Sequence, residues 1–306
     1  MEHNEWFVIV NPVSGNGKAK KKWQSIYNEL KKQEFKFTYA FTEYEKHSIK
    51  LIENAIKHGI TKFICVGGDG SLHHIVNGIF HHSETINIKA IKIGIIPIGT
   101  GNDWIKTYGI SKNYKKAIEI IKKENIFLQD IGKITLANIN KVVYFNNLAG
   151  IGFDAHVVNY VHKFKHLGFI AYLVSTLFSI VNYKRSLLEI KFNNKIIKQF
   201  SLLFLIGICK YSGGGMQLTN YISSSDGKFD ITYLDKINLV TILKHITKLF
   251  NGKVTDLNFV KSYTTSKASV CVLDTNKTLI QADGEIIGTG DFEVELLPKA
   301  LQFIIP

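Results

Sequence analysis

Two short segments hold most of the chemistry this chain can display: Gly67-Gly68-Asp69-Gly70-Ser71 and Gly99-Thr100-Gly101-Asn102-Asp103. Each follows an apolar run, KFICV before the first and IGIIPI before the second. A glycine-rich turn between a strand and a helix lets backbone amides approach a phosphate closely, where the helix dipole gathers partial positive charge. Neither segment completes a phosphate-loop template. The Walker A pattern fails at Ser14-Gly15-Asn16-Gly17-Lys18-Ala19, where Pro12 stands at the first glycine position and Ala19 replaces the hydroxyl. The dinucleotide fingerprint fails because His73 and Trp104 occupy its third glycine position. The plain alternative is that the glycines make tight turns and that Ser71, Asn102 or Asp103 cap helices. Two such loops at the C-terminal ends of strands in one sheet favour a nucleotide site, because open α/β sheets bind ligands at that edge.

Phosphoryl transfer also needs charge neutralisation and a carboxylate to receive the acceptor's proton. Asp69 lies inside the first loop, where an anion beside a triphosphate is tolerable if it meets magnesium or accepts from loop amides; otherwise it caps the next helix. Ser223-Ser224-Ser225-Asp226-Gly227-Lys228 reads, on pattern alone, as an exposed turn. Asp283-Gly284-Glu285 has two readings. It is either a hairpin turn between TLIQA and IIGTG, or the end of an extended strand on which two carboxylates point the same way as an acidic pair. The adjacent pairs His73-His74 and His81-His82 cannot aim at one ion from a helix and read as surface or cap residues.

The elements that must position these residues alternate in the first third: strands at 6–10, 37–41, 62–66 and 91–98, and helical patterns at 19–33, 47–58, 71–80 and 114–123. That is the signature of βαβ units and a parallel sheet. From about Phe127 the pattern changes to short period-two strands, among them TLIQADGE and KFDITYLD, which predict a β-sandwich-like second domain. Helical patterns interrupt it at His156–Tyr183 and Leu239–Asn251. The expected domains are 1–130, completed by 297–306, and 131–296.

Composition narrows the function classes. The 306 residues carry 38 Lys and Arg against 25 Asp and Glu, a net charge of +13, yet Arg185 is the single arginine. Base-edge readout and base stacking both favour the guanidinium, so nucleic acid ranks below a general lysine bias and below attraction to anionic lipid headgroups. Cys65, Cys209 and Cys271 are far apart in apolar runs with no metal or redox spacing. The opening MEHNEWFVIVNP has no secretory pattern, and the apolar stretch Leu167–Val181 is shorter than the roughly 20 residues a bilayer requires, which predicts no transmembrane segment.

Asn11-Pro12-x-Ser14-Gly15, Gly67-Gly68-Asp69-Gly70-Ser71 and Pro97-x-Gly99-Thr100-x-Asn102-Asp103, in this order, resemble the diacylglycerol kinase catalytic domain family. That family includes bacterial soluble lipid kinases and sphingosine kinases and is distantly similar to NAD kinases and 6-phosphofructokinases. The likeness continues through Phe145–Asp154, Gly213–Gly215, Asp226-Gly227 and Asp283-Gly284-Glu285. It implies an α/β N-terminal domain, a C-terminal β-sandwich and an active site in the interdomain cleft. ATP contacts carry over to Asn11, Ser14, Gly15, Thr42, Gly67, Gly68, Asp69, Gly70, Ser71, Leu72, His73 and Thr100, with Gly99 and Asn102 in the same loop. With no arginine cluster, amides, hydroxyls and Lys18 handle the phosphates. Magnesium would be held by Asp226 with the carbonyls of Ser223 and Lys228, and Asp130 would reach it through water. The stretch Asn220-Tyr221-Ile222 stands where the family has an Ala-Pro pair. Glu285 matches the general base and Asp283 is the close alternative.

The resemblance therefore implies an ATP- and magnesium-dependent lipid kinase acting on diacylglycerol or a sphingoid-type lipid. The alternatives are a small-metabolite kinase of the NAD-kinase type and a nucleotide-binding regulator without turnover; the retained Asp69, Asp226 and DGE carboxylates argue against the last. A lipid acceptor implies a cytoplasmic protein peripheral to the membrane surface, and a homodimer is compatible with it. The segment His162–Arg185, apolar between basic flanks, is either a core helix or an interfacial element. Leu239–Phe250 has a stripe of core type.

Overall fold

The computed structural model describes residues 5–81, 87–99, 101–163, 174–176, 178–179, 182–234, 241 and 244–306. The chain divides into two compact units, Met1–Gln129 with Lys299–Pro306, and Asp130–Pro298.

The first unit is built on strands β1 (Trp6–Val10), β2 (Phe37–Phe41), β3 (Lys62–Gly67) and β4 (Lys92–Pro97), in the order β2-β1-β3-β4, all parallel. Gln302 and Phe303, near the C-terminus, extend this sheet beside β4 in parallel. The near-continuous apolar sequences of β1, β3 and β4 suit strands covered on both faces. The cover comes from α1 (Lys18–Lys32), α2 (His47–Lys57), α3 (Asp69–Phe80), a short α4 (Asp103–Thr107) and α5 (Tyr114–Lys123). Trp23, Ile26 and Leu30 of α1 recur at helical spacing and are buried with Val8, Val10 and Ile64 of the sheet in one core. The five-residue α4 has too short a period to be read from sequence. Its start directly after the second glycine loop matters for the site.

The second unit has two antiparallel sheets forming a sandwich. After β5 (Ile126–Leu136), β6 (Lys141–Phe145), β7 (Leu148–Gly152), α6 (Phe153–Lys163), β8 (Ser186–Phe192), β9 (Lys195–Ser201) and β10 (Leu203–Gly207) come β11 (Phe229–Leu234), β12 (Val260–Thr265), β13 (Lys267–Val272), β14 (Leu279–Ala282), β15 (Glu285–Thr289) and β16 (Phe292–Ile304). One sheet runs β12-β11-β10-β7-β14-β15; the other places the start of β16 beside β13, then β8 and β9. Leu148, Phe153, Val157 and Leu203 form a core where α6 meets the first sheet.

Two expectations change here. TLIQADGE is not one strand: β14 ends at Ala282, and Asp283 and Gly284 both take left-handed backbone, φ 50° and 84°. Two left-handed residues make the tight turn that matches the twist of an antiparallel pair, and Asp-Gly suits it. The helical pattern at 156–183 begins three residues earlier, at Phe153; α6 is described to Lys163, and residues 164–173, 177 and 180–181 of the pattern lie outside the described set. Leu239, Ile242 and Leu243 of the other stripe also lie outside it, although Ile246–Leu249 form a single 3₁₀ turn. Among the described residues no helix is long and apolar enough to cross a membrane.

Candidate active site

In the first unit, three loops leave the C-terminal ends of the parallel strands and lock onto one another. After β1, Asn11 Nδ2 donates to Ser71 Oγ at 2.9 Å, and the hydroxyls of Ser14 and Ser71 are 3.5 Å apart. After β4, Ile98 N–H donates to Gly67 O at 2.8 Å. The glycines are required by closeness. A Cβ on Gly15, already at φ 61°, would lie 2.4 Å from Ile98 O; one on Gly67 would lie 2.4 Å from Ser71 Oγ; one on Gly99 would lie 2.7 Å from Gly68 Cα. The expected ligands Asn11, Ser14, Gly15, Gly67, Gly68, Gly70, Ser71 and Gly99 thus meet at one edge, where α3 begins at Asp69 and its first amides lack intrahelical acceptors. Thr42 follows β2, with its N–H bonded to Val10 O at 2.9 Å. Thr100 lies outside the described residues.

Four side chains behave differently from the expectation. Leu72 and His73 point into the core, 2% and 5% exposed, so only their backbone is at the loop; His73 is therefore not a surface residue. Asn102 accepts from Gly99 N–H at 3.1 Å through Oδ1 and donates to Gly99 O at 2.8 Å through Nδ2, so its amide closes its own loop. Asp69 accepts from the amides of Asp103 at 2.9 Å and Trp104 at 3.2 Å. It caps α4, a later helix than the one the capping alternative named, and ties the first glycine loop to the second across 34 residues.

In the second unit, the Asp283-Gly284 turn replaces the extended acidic pair. Asp283 turns its carboxylate inward: Oδ1 accepts from Asn147 N–H at 2.9 Å and Leu148 N–H at 3.1 Å, and Oδ2 from Asn146 N–H at 3.0 Å. These three amides commit the carboxylate oxygens to the backbone. Glu285, first residue of β15, is only partly buried.

The expected metal turn is pinned by Asp130, fully buried, whose N–H donates to Ser224 O at 2.9 Å and whose Oδ2 accepts from Gly227 N–H at 2.8 Å. Asp226 Oδ1 accepts from Lys228 N–H at 3.1 Å. Among the described residues no three His, Cys, Asp or Glu side chains gather into a metal cluster, so an ion here draws on carbonyls as well. Asp226, Asp130 and the carbonyls of Ser223 and Lys228 are, by chemistry, oxygen donors of the kind a hard cation such as magnesium takes. Asp230 was not foreseen. Burial, with the charge of Asp226 adding to it, pushes its carboxyl up to about 7. A cation at Asp226 would relieve that crowding. Gln281, buried, and Asp154, partly buried, were also not foreseen as partners; Asp154 lies within the Phe145–Asp154 motif, while nothing marks Gln281 in sequence.

A family model described as the diacylglycerol kinase catalytic domain matches residues 5–134, and one described as the YegS C-terminal NAD kinase beta sandwich-like domain matches 147–305. The chain is 30% identical over 245 residues to a diacylglycerol kinase of Staphylococcus haemolyticus, covering 79% of this chain and 70% of that one. It is 25% identical over 303 residues to a diacylglycerol kinase of Bacillus subtilis, covering 98% and 95%. A crystal structure of a diacylglycerol kinase from Bacillus anthracis superposes with a TM-score of 0.75 at 19% identity, covering 100% of this chain and 98% of that one, which speaks to fold.

Proposed function

The chain belongs to the diacylglycerol kinase family of lipid kinases, phosphotransferases that act on a lipid alcohol, and from that premise we propose that it moves the γ-phosphoryl group of ATP, with magnesium, to the free hydroxyl of diacylglycerol or a closely related sphingoid-type lipid. The observation that carries the reading is the locked set of three loops in the first unit, in which glycines at 15, 67, 68 and 99 leave amides and the Ser14 and Ser71 hydroxyls to cradle phosphates. Asn11, Asp69 and Asn102 hold these loops in register, and Thr42 stands at the end of β2.

Magnesium supplies neutralisation of charge on the phosphates, and Asp226, the Ser223 and Lys228 carbonyls and Asp130 would hold it. Glu285 takes the proton of the acceptor hydroxyl as the new P–O bond forms and the bond to the β-phosphate oxygen breaks, releasing ADP. Asp283 organises the turn before it. The acceptor lies at a membrane surface, which suits a chain with a net charge of +13.

The test is transfer of label from γ-labelled ATP to diacylglycerol, sphingosine and NAD in parallel, with and without a magnesium chelator. Labelled phosphatidate, abolished by the chelator, is the expected product. Label on NAD alone would replace this reading with the small-metabolite kinase.

A further inference from the structure

Asp154 and Gln281 have no part in the chemistry proposed above, yet Gln281 and the Oδ1 of Asp154 are buried, and both residues are committed to the turn that carries Glu285. Gly150 on β7 stands opposite Gln281 on β14. A Cβ on Gly150 would lie 2.4 Å from Asp154 Oδ2, so the bare glycine opens the space through which Asp154, in the first turn of α6, reaches the sheet. There Oδ2 accepts from Gln281 Nε2 at 2.9 Å. The other end of the same amide, Gln281 Oε1, accepts from Gly284 N–H at 3.0 Å. Gly284 is the second residue of the turn and is followed directly by Glu285.

The turn needs such a tether because its ladder is irregular. Ile280 pairs with Gly288 but Gln281 pairs with Ile286, so Ile287 is left over as a bulge beside the turn. A bulge bends a strand and re-aims its side chains, and strand register next to it is weakly defined by backbone pairing alone. The arrangement is costly to the fold. Asp154 Oδ1 is buried, and burial pushes the carboxyl up to about 6 although the Gln281 amide and the Ala155 N–H both pull it down. A site that needed only filled space would be served by an apolar residue.

We infer that Asp154 and Gln281 form a positioning relay that clamps the Asp283-Gly284 turn and thereby fixes where Glu285 presents its carboxylate. The inference rests on Glu285 being the base. Gln281→Leu removes both hydrogen bonds at nearly constant volume. Its kcat with diacylglycerol should fall about 10- to 100-fold, the scale of a misplacement of about 1 Å, while KM for ATP and for lipid changes by less than about twofold. Asp154→Asn keeps an acceptor for Gln281 and should hold kcat within about threefold of the parent, whereas Asp154→Ala should behave like Gln281→Leu. A Gln281→Leu variant at the parent rate overturns the relay. So does Asp154→Asn as impaired as Asp154→Ala, since an acceptor alone would then not suffice.

Amide hydrogen exchange at Gly284 in the unsubstituted chain gives a reading that no folding defect can confuse. Protection is expected, and exchange at the rate of a solvent-exposed turn overturns the relay. That measurement needs no turnover, so it separates failure of the relay from failure of the Glu285 assignment, which Glu285→Gln tests by itself.

Discussion

The loop edge of the first unit and the carboxylate turns of the second solve opposite problems. At the loop edge the working groups are backbone amides and small hydroxyls, and glycine stands where the loops touch: Gly68 and Gly99 leave no room for a side chain. In the second unit the acidic side chains are present, but most of them are occupied. Asp283 holds three amides, Asp130 holds one and is held by another, and Asp154 holds Gln281. The difference teaches that a glycine in a βα turn reports a close approach almost directly, whereas a carboxylate reports chemistry only after its hydrogen bonds have been counted.

The largest expected effect falls on the one acidic residue of the DGE turn not seen spent on backbone amides. Glu285→Gln should lower kcat by about 10²–10⁴ while nucleotide affinity is preserved. Steady-state turnover beside calorimetric ATP titration would check it, and a parent-like kcat would remove Glu285 from the chemistry.

At the loop edge, Gly99→Ala puts a Cβ 2.3 Å from Asn102 Oδ1 and 2.7 Å from Gly68 Cα, forcing two loops apart. ATP affinity should drop about 10- to 100-fold, as a clash of about 1–3 kcal/mol implies. Gly101→Ala meets nothing nearer than 3.5 Å and should bind ATP like the parent. Equal affinities for the two variants would break the claim that closeness is what selects these glycines.

Asp283→Ala should separate stability from chemistry. Three amides lose their acceptor at a residue with φ 50°, which predicts a loss of about 2–3 kcal/mol in denaturant unfolding. Under conditions where the variant is folded, its turnover should exceed that of Glu285→Gln.

The smallest effect is a gain. Burial raises the Asp154 carboxyl to about 6, so the folded state holds that proton more tightly than the unfolded chain does. Stability from this group is therefore full below the ordinary carboxylate range near 4 and is lost as pH rises through about 6. Asp154→Asn escapes that loss. Its melting temperature should exceed the parent's at pH 8, by on the order of 1–2 kcal/mol in stability, with the difference vanishing near pH 4.

By itself, the sequence determined the parallel sheet, the antiparallel second unit and the loops at 11–15, 67–71 and 99–103, because each depends on information within a few residues: period, apolar runs and glycine between strand and helix. What it left open were partnerships between distant segments. That Asp69 caps a helix beginning at Asp103, that Asp283 faces Asn146–Leu148 rather than pairing with Glu285, and that Gln281 joins Asp154 to Gly284 are set by which strands lie side by side. Buried amides and carboxylates must satisfy one another wherever the fold brings them, and only the tertiary structure decides which of them meet.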